Sequence, residues 1–92
     1  MRLIDVIQHL KTFDIEDTIY AAEPWTKDSE SLVFPEPPSG GVPPEAAALG
    51  MKCFLELAIA QKVLENWSSS RSTAPTALER CERVIKYAKD DA

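Results

Sequence analysis

Histidine, glycine and cysteine are all scarce in this chain, and each scarcity removes a class of chemistry. Its 92 residues include one histidine, three glycines and two cysteines. A serine, threonine or cysteine nucleophile needs a neighbouring base. His9 is the only histidine, and no G-x-S-x-G elbow occurs. The glycine pair Gly40-Gly41 lies outside any G-x-x-x-x-G-K-[ST] pattern and is flanked by acids that would repel a phosphate. Cys53 and Cys81, with one distant histidine, do not make a zinc site. Both are expected to be buried thiols within helices. The acids contain no D-x-[DN]-x-[DN]-G calcium loop. No enzyme, metal or cofactor is therefore expected.

Long apolar runs are missing too. Lys52 and Glu56 interrupt the most apolar stretch, so nothing approaches the roughly 18 residues of a membrane span. Asp5 and the Gln8-His9 pair break the N-terminal stretch where a secretory signal would be continuous, which points to a cytoplasmic chain with no membrane partner.

The charge that is present is unevenly placed. The net charge is −5. Residues 14–45 hold Asp14, Glu16, Asp17, Glu23, Asp28, Glu30, Glu36 and Glu45 against Lys27 alone, whereas the flanking thirds nearly balance. An acidic surface keeps a small domain soluble, and it also steers association with a basic partner. The last third has acids matching its bases, so no nucleic-acid site is expected there.

At 92 residues the chain has room for one domain with one modest core. Residues 3–13 show helical spacing at Leu3, Ile7 and Leu10. Residues 18–22 and 31–34 are β-branched and aromatic and read as two antiparallel strands, joined by the projecting loop 23–30. In those strands Ile19 and Ala21 share a face, as do Leu32 and Phe34, while Val33 points the other way. Residues 35–44 form a proline- and glycine-rich crossover. Residues 43–67 read as one long central helix, too apolar for the surface, whose wet side is a line through Glu45, Lys52 and Glu56. A serine-rich loop, 68–74, precedes a last helix opened by Thr76 and Glu79 in capping-box spacing. Its buried stripe is Leu78, Cys81, Ile85 and Ala88, with Val84 alongside. The expected fold is α+β in the order α-β-β-α-α, a short hairpin packed on a long central helix with two flanking helices.

Trp25 is the residue that invites a functional reading, because it sits in the acidic loop beside Pro24. It either folds back to cap the core edge or anchors an interface rimmed by charge. On the second reading the partner-binding set is Trp25, Glu23, Asp28, Glu30, Asp17 and Glu36, with Tyr20 one strand position from the loop. The partner would be a basic protein, most concretely a nuclease-type toxin neutralised by an immunity or inhibitor protein. The alternative is a homodimeric structural or regulatory subunit using the exposed apolar side of the central helix.

The segment E-P-W-T-K-D-S-E at 23–30, followed by V-P-P-E-A-A-A-L-G at 42–50, resembles a group of small bacterial domains without established activity. In these an E-P-W-T loop precedes a proline-led helix. The resemblance covers residues 15–67. It implies a bacterial origin and a small α+β fold, and it transfers no catalytic residue.

Overall fold

The computed structural model describes residues 1–38, 40–69 and 72–91. The elements run α1 (Leu3–Gln8), a 3₁₀ turn (Leu10–Thr12), β1 (Asp17–Ala22), β2 (Ser31–Pro35), α2 (Pro44–Ala47), β3 (Met51–Glu56), α3 (Leu57–Ser69) and α4 (Ala77–Asp91). The class is α+β, as expected. The three strands form one antiparallel sheet in the order β2-β1-β3, so β1 is central and is buried on both faces from Thr18 to Ala21.

The expected long helix is the main correction. Its first turn exists as α2, and its second half exists as α3. Between them Gly50 adopts φ +71°, a left-handed conformation open to glycine at little cost, and the chain turns out of the helix there. Met51–Glu56 then runs beside β1 as a strand. The register shifts between Ile19, opposite Leu55, and Tyr20, opposite Cys53, which makes Phe54 the extra residue of a β-bulge. The bulge lets two consecutive side chains, Phe54 and Leu55, both enter the core.

The larger core lies between one face of the sheet and α1, α3 and α4. Ile19, Ala21, Phe54 and Leu55 meet Leu3, Val6, Ile7, Leu57, Leu64, Cys81 and Val84 there, with Val33 packed alongside. The opposite face carries a smaller cluster of Tyr20, Ala46 and Met51, edged by Leu32, Phe34 and Val42 and roofed by the crossover and α2. The face assignments of Ile19, Ala21, Leu32, Val33 and Phe34 follow the strand period. Leu78, expected in the α4 stripe, is exposed. Cys81, Val84, Ile85 and Ala88 are buried. The capping box forms: Thr76 N–H donates to Glu79 Oε1 at 2.9 Å, and Glu79 N–H donates to Thr76 Oγ1 at 3.1 Å. Of the serine-rich loop, Ser68 and Ser69 belong to α3, and Ser70 and Arg71 lie outside the described residues, as does Ser39 of the crossover.

Both sheet edges are guarded against further pairing. Along β2, Ser31 N–H donates to Met1 O at 2.7 Å, Leu3 N–H donates to Ser29 O at 2.8 Å, and Pro35 closes the strand without a donor. Along β3 the bulge at Phe54 and the exposed Lys52 do the same work.

Tyr20 is fully buried in the smaller cluster, and among the described residues its hydroxyl has no hydrogen-bond partner. Burial pushes the phenol above its ordinary range, Cys53 across the strand pair adds to this, the Thr18 side chain opposes it, and Glu36 adds further. A buried, unsatisfied hydroxyl costs about 1–3 kcal/mol. Tyr20→Phe keeps the ring and removes that cost, so the variant should be more stable by about 1–2 kcal/mol in urea unfolding. A loss of stability would show that the hydroxyl has a partner, such as a bound water.

Candidate functional site

The loop 23–30 is held closely. Ser29 Oγ accepts Thr26 N–H at 2.8 Å and donates to Pro24 O at 3.0 Å. Two loop carbonyls receive the opening N–H groups of α1: Ser29 O from Leu3 at 2.8 Å and Lys27 O from Ile4 at 3.0 Å. These are donors that a helix start cannot satisfy internally. Trp25 folds back over the core edge. Its Nε1–H donates to Ala21 O at 3.3 Å, and its ring meets Phe54 edge-on at a centroid distance of 5.0 Å and an interplanar angle of 88°. That geometry is favourable for aromatic pairs. The capping role is therefore realised, while the ring stays half-buried and lines a groove.

The acids around Trp25 are occupied by cations of the same chain. Asp28 lies 3.1 Å from Lys27 Nζ and 3.3 Å from Arg2 Nη1. The hydrogen bond from Lys27 holds its carboxyl below the usual range, with smaller help from Arg2. Glu30 takes the amino terminus of Met1 at 2.8 Å, and Glu23 lies 3.9 Å from Lys52 Nζ. All these pairs are exposed, so each contributes little to stability. Their consequence is to reduce the charge that this end can offer a partner.

Asp17 and Glu36 are elsewhere. Asp17 opens β1 opposite Pro35, so Glu36 follows directly at its side, and Glu56 stands opposite Thr18 on β3. A six-residue strand spans roughly 17 Å, which separates this end of the sheet from the Trp25 loop at the other. Asp14 and Glu16 precede β1 in a tight turn, where Glu16 N–H donates to Asp14 Oδ1 at 2.9 Å. Among the described residues, no cation lies within 4 Å of Asp14, Glu16, Asp17, Glu36 or Glu56. The expected acidic set is thus divided into a paired end and an unpaired end. Tyr20, placed in that set from the sequence, is inside the protein and offers no surface.

Cys53 is a second correction: it lies on β3 and is exposed, while Cys81 is buried in α4 as expected. Partial desolvation first, then Glu36 and Glu56, raise the Cys53 thiol above its ordinary value.

Two concavities accompany these surfaces. One, of about 490 Å³, lies between the 3₁₀ turn, α3 and the start of α4, with Leu10, Lys11, Gln61, Leu64 and Arg80 in its walls. The other, of about 400 Å³, lies between the Trp25 loop and α4, floored by Trp25 and Ile85 and edged by Lys27, Lys86 and Lys89. His9 is exposed and donates through Nδ1 to Asp5 O at 2.8 Å. Among the described residues no three His, Cys, Asp or Glu side chains gather as a metal site, and no helix is long and apolar enough to cross a membrane. Comparison of the chain with protein-family models, curated proteins and solved structures finds no match in any of the three.

Proposed function

We infer that this chain is a non-catalytic binding protein that turns an acidic surface toward a basic protein partner. The observation that carries this reading is the unpaired end of the sheet, where Asp17 opens β1, Glu36 follows the end of β2 and Glu56 closes β3, with Asp14 and Glu16 in the turn before β1 and no internal countercharge among the described residues. Carboxylates left unneutralised on rigid elements accelerate encounter with a positive surface and fix orientation. The most concrete partner is a nuclease-type toxin with a positive substrate groove, occluded by an immunity or inhibitor protein of this size in the cytoplasm. Asp17 and Glu36 carry the reading. Glu23, Asp28 and Glu30 contribute only after releasing Lys52, Arg2, Lys27 and the amino terminus, and Trp25 only after leaving Phe54. A homodimer built on the apolar residues of the central segment has less support, since Met51, Phe54 and Leu55 are already buried within one chain.

The test is capture of a basic protein from the source cell by the native chain, followed by association kinetics with two triple variants. Asp17→Asn/Glu36→Gln/Glu56→Gln should slow association about tenfold or more and flatten its salt dependence. Glu23→Gln/Asp28→Asn/Glu30→Gln should leave both nearly unchanged. The opposite order would move the interface to the Trp25 loop, and no effect from either would sink the electrostatic reading.

A further inference from the structure

The groove between the Trp25 loop and α4 and the turn before β1 are complementary, and they lie toward opposite ends of the sheet. The turn presents Ile15, one of the few large apolar side chains left exposed, at 55%. Asp14, Glu16 and Asp17 flank it, and the turn is closed by Asp14, whose Oδ1 accepts Glu16 N–H at 2.9 Å and whose backbone oxygen accepts Asp17 N–H at 3.0 Å. It is an apolar knob in an acidic collar. The groove has an apolar floor of Trp25 and Ile85 and carries Lys27, Lys86 and Lys89 against Glu82 and Asp90. Lys27 is engaged by Asp28. Lys86 and Lys89 have no carboxylate within 4 Å among the described residues, although Glu82 stands four residues before Lys86. Among the described residues the groove thus offers two cations outside any ion pair, Lys86 and Lys89, beside an apolar floor, with Glu82 and Asp90 equally unpaired along it, and the knob offers uncommitted carboxylates around an apolar side chain.

We propose that the groove receives the Asp14-Ile15-Glu16-Asp17 turn of a second copy of this chain, giving a head-to-tail association. Ile15 packs on the Trp25 and Ile85 floor, and the collar carboxylates meet Lys86 and Lys89. The contact is heterologous, so each copy keeps one free knob and one free groove, and assembly grows with concentration instead of stopping at a dimer. It is also salt-sensitive, because its charges are exposed. The inference does not rest on the binding function proposed above. It uses the groove, which that function does not need, while the Asp14, Glu16 and Asp17 carboxylates of the knob serve both.

The test is sedimentation velocity of the full chain over a wide concentration range, at an ionic strength of about 0.02 M and of about 0.5 M. At low salt the average mass should rise with concentration from 10.2 kDa, and at high salt it should stay there. Ile15→Ser/Glu16→Lys and Lys86→Glu/Lys89→Glu alter exposed side chains on opposite partners of the contact. Each variant alone should remain monomeric at low salt. Mixed, they should form a one-to-one pair and nothing larger, because one supplies only a groove and the other only a knob. A native chain that stays monomeric, or association unchanged by either variant, or a mixture that does not pair, overturns the proposal.

A second readout separates occupants. With Trp67→Phe leaving Trp25 as the sole indole, the synthetic peptide T-F-D-I-E-D-T should change Trp25 emission, and its Ile→Ser form should bind at least tenfold more weakly. Equal binding of the two peptides would mean that the groove takes acidic peptides in general, and the second-copy proposal would fail. Partner capture that survives Lys86→Glu/Lys89→Glu leaves the binding function standing whichever way the self-association result falls.

Discussion

Replacing Phe54 by alanine is expected to cost about 3–5 kcal/mol, the usual range for a buried aromatic. Phe54 is 5% exposed, occupies the extra position of the β3 bulge, and supports Trp25 edge-on. Its loss opens a cavity in the larger core and leaves Trp25 without a base. A chain of this length has about 5–14 kcal/mol of stability to lose, so the melting temperature should fall by roughly 12–40 °C. Near-ultraviolet circular dichroism should lose its Trp25 component ahead of the main transition. The neighbouring Cys53→Ala should stay within about 0.5 kcal/mol, because that side chain is exposed on an edge strand. Gly50→Ala sharpens the test. In an uninterrupted helix alanine would be the better residue by about 1 kcal/mol. At φ +71° it is the worse one by a similar amount, even though nothing lies within 4 Å of the added methyl. A stabilising Gly50→Ala would restore the continuous helix.

That contrast explains why β3 was hidden in the sequence. The bulge makes Met51, Phe54 and Leu55 the buried residues of the strand. Their spacing of three and then four is the spacing of a helix face. A plain strand would have alternated, and an alternating pattern would have been legible. Lys52 and Glu56, four apart and both exposed, completed the resemblance to a helix with a narrow wet line. The available signal was Gly50, placed about two turns after a proline-led start, as a helix stop. Where the period was regular, reading it succeeded. The faces of β1 and β2, the buried positions of α1 and the Thr76–Glu79 capping box depend on neighbours within four residues, and all stand as expected.

The site is less legible because the acids cluster along the chain and are neutralised across it. Residues 14–45 are acidic in sequence, but the hairpin carries residues 23–30 to one end of the sheet and brings Glu36 back beside Asp17 at the other. Glu23 finds Lys52, Asp28 finds Arg2, and Glu30 finds the amino terminus, all from segments more than 25 residues away. No local pattern announces such pairs. Glu56 was missed for the complementary reason. It lies outside the acidic third and joins Asp17 and Glu36 only because β3 lies beside β1.

Alkaline pH should expose the second large effect. Cys81 is fully buried in α4 against the helix-side core, and its thiol is pushed from its ordinary value near 9 up to about 11. Burial is the main cause; Glu82 adds to it, Lys27 opposes it, and Asp28 adds slightly. The folded chain therefore keeps a proton that the unfolded chain gives up. Stability on this account is complete below about pH 9 and is lost as the pH rises through about 11. The two-unit difference corresponds to about 2–3 kcal/mol by linkage. Urea midpoints measured under reducing conditions at intervals across this window should fall steadily in the native chain. Cys81→Ala should begin about 1 kcal/mol lower at neutral pH, from the lost packing, and fall much less steeply over the same window. Tyr20, also raised by burial, contributes in the same direction, so Tyr20→Phe/Cys81→Ala should be the flattest of the set. An undiminished slope in Cys81→Ala would show that the buried thiol is not what ties this fold to proton concentration.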